Sequence, residues 1–490
     1  MLSTITNGQK IGVMAGVMVA MLLAALDQTI VSTAMPTIVK ELNGLAELSW
    51  VFTAYMLTST ITVPIIGKLS DIYGRKLLYV ISIVIFLLGS ILSGFASSMF
   101  MLIVFRALQG IGGGALMSSA FTVIGDMFPP AERGKWQGLF GSVFGVASVI
   151  GPGLGGWITE AFSWRWAFFI NIPVGIIALA IIYFLMPNFK SSIARRAIDY
   201  VGAFALAVGL TSLLLALVWG GSSYAWGSVQ ISGLLALAIT ALVAFGYTEY
   251  HAEDPILPLS LFKNSIFTLS NTIVFFIGMG MFGALTYIPL FAQNVLHIGA
   301  ANSGVILMPL TFALIGASIF SGQVMSRTGK YKWLAFGGIA VTCIGIGSMF
   351  FMDPTTSQGS LIVRMIITGL GLGISMPIFT NIVQNAFDHS KLGVVTASTQ
   401  LFRSLGATVG VAILGSILNN SLAQGNPLSG SITNLFLVSG GLMFAALIVA
   451  FFLKEIPLRK SHGAQNPLIE GAIDVALEEA QLEPRAEVRI

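Results

Sequence analysis

Residues 11–36 read IGVMAGVMVAMLLAALDQTIVSTAMP, an apolar run that carries one carboxylate, Asp27. About 20 apolar residues suffice to cross a bilayer as a helix, and this run exceeds that. Stretches of similar length and apolarity recur near 48–67, 77–97, 100–123, 137–159, 166–186, 201–219, 229–248, 268–293, 303–325, 333–352, 360–383, 396–418 and 434–453. Fourteen spans are therefore predicted. The chain is 56% hydrophobic and 9% charged, with a mean hydropathy of +0.90. Soluble domains carry roughly 25% charged residues, so this sequence lacks the polar groups to coat a globular surface. Lipid requires each spanning helix to satisfy its own backbone hydrogen bonds, and the expected fold class is an all-α polytopic membrane protein. The first span is too long for a signal peptide, has no small-residue cleavage site and is followed by many more spans.

Lys and Arg placement sets the orientation. Of the 24 Lys and Arg residues, only Lys40 and Arg165 fall in loops on the side opposite the termini, and Arg106, Arg364 and Arg403 fall within spans. All the others lie on the terminal side, which is read as cytoplasmic and places the chain in the cell membrane. The net charge of +4 follows from that bias and does not indicate nucleic-acid binding. Trp50, Trp157, Trp164, Trp166, Trp219 and Trp226 fall near the opposite interface, where amphipathic rings are favoured. The single cysteine, Cys343, excludes an intrachain disulfide.

Three pairs of segments look like weak copies at a nearly constant separation. GKLSDIYGRK (67–76) resembles GQVMSRTGKY (322–331), Arg106 opens RALQGIGGGALMS much as Arg364 opens RMIITGLGLGISMP, and Gly151 and Gly156 map onto Gly410 and Gly415. In order and in register, they suggest a duplicated six-helix unit with a pair of helices inserted near 201–248. The expected domains are an N-terminal six-helix bundle over 1–190, an inserted helix pair with linkers over 191–265, a C-terminal bundle over 266–455 and a polar cytoplasmic tail over 456–490, with a short acidic helix at 466–484. Parallel repeats place a binding site near the midplane between the halves. Asp27 has no acidic counterpart in the second half; its equivalent positions are Gly280 to Phe282.

LDQTIVSTAMP (26–36), GKLSDIYGRK (67–76), RALQGIGGG (106–114) and GVASVIGPGLGG (145–156) together resemble the signatures of the fourteen-helix drug–proton antiporters of the major facilitator superfamily. The resemblance extends through about residue 455. Ile72 departs from the basic residue common at its position, and Ser32 from a frequent Asn. The resemblance implies two six-helix bundles plus two inserted helices. It also implies a conformational lock in the 67–76 loop, proton handling by Arg106, and an export role for the motif containing Gly145, Gly151, Pro152, Gly155 and Gly156.

Individual residues sharpen that reading. Asp27 lies about 12 Å from a helix end expected near Met35, at 1.5 Å per residue. An ionised carboxylate at such depth is costly and its desolvation disfavours the charged form, so proton uptake and release by Asp27 is expected. A fixed acid that only holds two helices together is the plainer reading. Arg106 lies about 10 Å from a start near Met99, a similar depth, and is the expected partner; an Arg that snorkels to the interface is the alternative. Gln109 is a candidate substrate contact beside Asp27. Asp71, Arg75, Asp126 and Arg133 sit at inner helix ends and are candidate gating residues, with Glu132 a possible extension; topology alone also favours basic residues there. The glycines with Pro152 suit close helix approach and a bend, which packing alone would explain.

Gly110, Gly112 and Ala115 fit a dinucleotide fingerprint, but no strand–helix unit forms inside a span. There is no phosphate-binding GxxxxGK[ST] loop, so ATP-driven transport by this chain is not expected. His251, His297, His389 and His462 are scattered, without metal-ligand spacing. No cofactor, metal or enzymatic activity is expected. The function expected is proton-coupled export of an amphipathic, cationic or zwitterionic solute by alternating access, by a monomer. The alternatives are export of one endogenous metabolite, lipid or antibiotic, and a non-transporting membrane sensor or scaffold.

Overall fold

The computed structural model describes residues 6–44, 47–187, 199–221, 223–296, 307–388 and 391–458. Among them are fourteen helices long and apolar enough to span a membrane: α1 Asn7–Leu42, α2 Leu48–Tyr73, α3 Arg75–Gly94, α4 Met99–Met127, α5 Pro130–Ala161, α6 Trp166–Leu185, α7 Tyr200–Trp219, α8 Val229–His251, α9 Ser265–Asn294, α10 Met308–Thr328, α11 Lys332–Phe351, α12 Gln358–Asn385, α13 Leu392–Ala423 and α14 Leu428–Phe451. The fold is all-helical. The expected acidic helix at 466–484 lies outside the described residues, as do Arg195 and Arg196.

Helix ends follow local chemistry. Thr6 and Gln9 form a capping box at the start of α1, satisfying donors that the first turn leaves free. Ser98, Asn264 and Ser357 cap α4, α9 and α12 with side-chain oxygens. The break between α3 and α4 falls at residues 95–98. Gly74, with φ 94°, occupies a region that side chains with a Cβ avoid, which lets α2 turn directly into α3. Gly329, its counterpart in the repeat, has φ 67° at the turn between α10 and α11.

One boundary differs markedly from the sequence expectation. The first helix does not end near Met35 but continues to Leu42 with Pro36 inside it, because the donor Pro lacks is tolerable where neighbouring helices pack around the freed carbonyl. Asp27 therefore sits 15 residues, about 22 Å, from that end. Most of α1's inward face is buried over Val13–Ile38.

The apolar cores separate by sequence. Two clusters hold only residues from α1 to α6, and a third runs from Ile266 to Leu458. A fourth joins Leu206 and Leu210 of α7 and Phe245 of α8 to Phe267, Val383, Val395 and Leu401 of α9, α12 and α13. The face carrying the termini and most Lys and Arg is termed here the basic face, its opposite the far face. At the basic face α2 packs on α13 and α5 on α10. Gly67 approaches Ala397, Gly134 meets the Gly322 backbone, and the Asn381 amide donates to the Pro130 carbonyl at 3.0 Å. Among the described residues no hydrogen bond or ion pair joins the N-terminal six helices directly to the C-terminal six at the far face.

Candidate functional site

Asp27 is completely buried. Three donors reach its carboxylate: Arg106 Nη1 at 2.5 Å, the Gln109 amide at 2.8 Å and the Asn171 amide at 2.9 Å. Arg106 also donates to Gln109 Oε1 at 2.7 Å, and Asn171 to Ser90 Oγ at 2.9 Å. Helices α1, α3, α4 and α6 thus meet at one node. Each of the three hydrogen bonds to the carboxylate comes from a side-chain donor on another helix, one of them a guanidinium. Arg106 Nε has no hydrogen-bond acceptor among the described residues, but the guanidinium carbon lies 4.4 Å from the Tyr55 ring centre and 5.9 Å from that of Phe168. Stacking on aromatic faces is a favourable alternative for Arg in a desolvated site. Arg106, expected as the partner of Asp27, is in contact with it.

A cavity of about 390 Å³ lies between the halves. Its wall is mainly apolar, with Phe140 and Phe144 of α5, Met281 of α9 and Leu314 of α10, and Tyr55 and Gln28 form part of it. Asp27, Arg106 and Gln109 do not line it. The Tyr55 ring stands between the cavity and the node. Gln109, expected as a substrate contact, instead binds the carboxylate in this conformation. Among the described residues the only charged side chain lining the cavity is Arg403.

The basic face is closed by the 67–76 segment. Arg75 pairs with Asp71 at 2.5 Å and with Asp126 at 2.7 Å, and donates to Ser70 Oγ at 2.6 Å. Asp71 then crosses to the other half: its oxygens accept from the Gly393 and Val394 N–H groups at 3.2 and 3.1 Å. These are among the first free donors of α13, where a carboxylate is favoured by both hydrogen bonding and the helix dipole. Gly393 admits this approach, since a Cβ there would sit 2.5 Å from Asp71 Oδ1. Arg133 donates to the carbonyls of Phe128 and Gly125 at 2.9 and 2.8 Å, fastening the end of α4, and Glu132 is exposed. Among the described residues no three His, Cys, Asp or Glu side chains cluster to hold a metal.

The sequence description of the Major Facilitator Superfamily matches residues 17–411. The chain belongs to the major facilitator superfamily. It is 46% identical over 404 residues to the multidrug transporter protein MdtP of Bacillus subtilis (strain 168), covering 82% of this chain and 74% of that protein. It is 38% identical over 410 residues to multidrug resistance protein 3 of the same organism, covering 83% and 79%. It is 36% identical over 483 residues to the uncharacterized MFS-type transporter Rv1877 of Mycobacterium tuberculosis (strain ATCC 25618 / H37Rv), covering 92% and 70%. The crystal structure of the human organic anion transporter MFSD10 (TETRAN) superposes with a TM-score of 0.67 at 14% identity, covering 91% of this chain and all of that one; at that identity the likeness concerns the fold. The chain is a membrane-spanning transporter.

Within this superfamily member, the glycines of residues 145–156 divide by role. A Cβ on Gly151 would overlap Thr29 Oγ1, and one on Gly155 would lie 3.0 Å from the Ile30 Cα, so both glycines bring α5 against α1 within one or two turns of Asp27. Gly145 faces Ile315 of α10, across the seam between halves. Gly156 faces open space, so close packing does not account for it, and Pro152 lies inside α5. Sequence reasoning missed Tyr55, Ser90, Asn171 and Phe168 as partners of the node. Their polar or aromatic groups lie on other helices with no fixed spacing from Asp27. An Asn at 171, opening an otherwise apolar segment, was the one available signal.

Proposed function

We propose that this chain is a proton-coupled exporter of amphipathic small molecules that works by alternating access in the cell membrane, with its basic face in the cytoplasm and as a monomer. The observation that carries the reading is the Asp27 node. The carboxylate has no access to solvent and three donors around it, and protonating it would remove the ionic contact with Arg106. Tyr55 links that event to the cavity, because it stacks on Arg106 on one side and faces the cavity on the other. Proton binding would loosen α1 from α4 and shift the wall that contacts the solute. Asp71, with Arg75 and Asp126 behind it, would then hold or release the basic-face closure. The multidrug names of two relatives support a solute range broader than one metabolite.

The test is transport in inverted vesicles containing the full chain, with uptake of amphipathic fluorescent compounds driven by an imposed pH gradient. Asp27→Asn is expected to abolish gradient-driven uptake while leaving slow downhill equilibration. Undiminished gradient-driven uptake by Asp27→Asn overturns the proposal.

A further inference from the structure

We infer that the cavity takes the anionic head group of an amphipathic organic acid, and that Arg403 is the residue that recognises it. The inference rests on the transport reading above and adds the charge class of the solute. In sequence, the buried Asp27 suggests a cationic or zwitterionic partner. The structure withdraws that carboxylate from the cavity: it is completely buried and occupied by Arg106, Gln109 and Asn171. No carboxylate lines the cavity among the described residues.

Arg403 is the reverse case. It lines the cavity, and its one hydrogen bond among the described residues is a long one of 3.4 Å to Thr380 Oγ1. The C-terminal bundle has nothing to neutralise it: between residues 265 and 451 the only acids are Asp353 and Asp388, both in loops. Arg364 lies in the same bundle, its buried Nη1 without a hydrogen-bond partner among the described residues, and Lys and Arg outnumber acids over residues 265–451. Gln400 and Ser404, one turn before and one residue after Arg403, also line the cavity, and neither side chain has a hydrogen-bond partner among the described residues. Residues at i, i+3 and i+4 share a helix face. Together they present a guanidinium, an amide and a hydroxyl on one strip of α13, with Phe140, Phe144, Met281 and Leu314 available for an apolar body. A planar guanidinium matches a carboxylate or sulfonate bidentately, and an uncompensated cation in a low-dielectric cavity disfavours a cationic guest.

The test is equilibrium binding by calorimetry to the purified full chain in detergent, without any gradient, using biphenylbutyrate, its primary amide and the matched biphenylpropyl-trimethylammonium. Wild type is expected to bind in the order carboxylate, amide, ammonium, with the carboxylate favoured over the amide by on the order of tenfold. Arg403→Gln is expected to bring the carboxylate to the level of the amide, and retained saturable amide binding shows that the cavity is folded. Arg403→Lys, which keeps the charge but not the fork, is expected to preserve the order with a smaller preference. Wild type binding the ammonium as tightly as the carboxylate, or no saturable carboxylate binding, or an unaltered preference in Arg403→Gln, overturns the inference. Loss of pH-driven flux in vesicles with the binding order intact counts against proton coupling and leaves the charge assignment standing.

Discussion

Replacing Asp71 should open the basic face by an amount that follows from which of its contacts cross between halves. The ion pair with Arg75 lies wholly inside the N-terminal half, so it persists when the halves separate and cancels from the conformational equilibrium. The bonds from Gly393 and Val394 exist only in the closed arrangement. Each charge-assisted bond is worth about 1.5 kcal/mol at the lower end of its range, and the helix terminus adds about 0.5 kcal/mol. Asp71→Asn keeps one neutral acceptor and should forfeit about 2 kcal/mol, shifting the open-to-closed ratio roughly thirtyfold. Asp71→Ala loses both acceptors and should shift it further. The assay is a distance distribution between spin labels at Tyr73→Cys on α2 and Thr328→Cys on α10, both exposed at the basic face, in a background carrying Cys343→Ser. Each replacement should raise the population at longer separation in the order Ala above Asn. Distributions unchanged from the parent in both variants would refute the idea that Asp71 latches α13.

Other substitutions separate packing from function elsewhere. Gly155→Ala drives a methyl group against the α1 backbone at Ile30 and should cost about 1–3 kcal/mol of stability, whereas Gly156→Ala, facing open space, should change thermal stability within about 0.5 kcal/mol; thermal unfolding in detergent compares the two. Lys68→Met removes the 2.5 Å ion pair with Asp254 and should weaken the 252–258 segment by about 1.5 kcal/mol, read as roughly tenfold faster amide exchange there. Tyr331 lies outside the spans, and burial pushes its phenol up to about 12, with the Ile456 N–H pulling the other way. The folded chain therefore keeps a proton that the unfolded chain releases near pH 10. The sign is a stability that is full below about pH 10 and falls as pH rises toward 12. Denaturation from pH 9 to 12 should show a shallower decline in Tyr331→Phe than in wild type.

The fourteen spans, the partnership of Asp27 with Arg106 and the glycine turn of the 67–76 segment were legible because each rests on a local rule. Apolar length marks a span, a charge in lipid demands a partner, and glycines mark tight turns. The end of α1 was misjudged because a proline ends helices in water and not among packed helices in lipid. The node's Asn171 and Tyr55 were not legible, since no spacing ties residues on α6 and α2 to one on α1. The separation of Asp27 from the cavity was not legible for a related reason. A sequence shows that Asp27 is in the membrane, but which side of the helix it faces depends on partners from three other helices, and those partners turn it away from the cavity that Arg403 faces.

The inserted pair has a consequence for the seams between the halves. Helix α7 packs on both α2 and α13, Trp219 meets Trp50 edge to face with ring centres 5.3 Å apart, and Asn419 donates to the Gly221 carbonyl at 2.9 Å. It therefore roofs the α2–α13 groove from the lipid side. At the seam between α5 and α10, Gly134, Gly138 and Gly145 instead bring the two helices into direct contact, and among the described residues the inserted pair does not pack there. One seam between the halves is thus braced by added helices and the other by glycine-mediated approach alone, so the two seams must part in different ways when the halves rock.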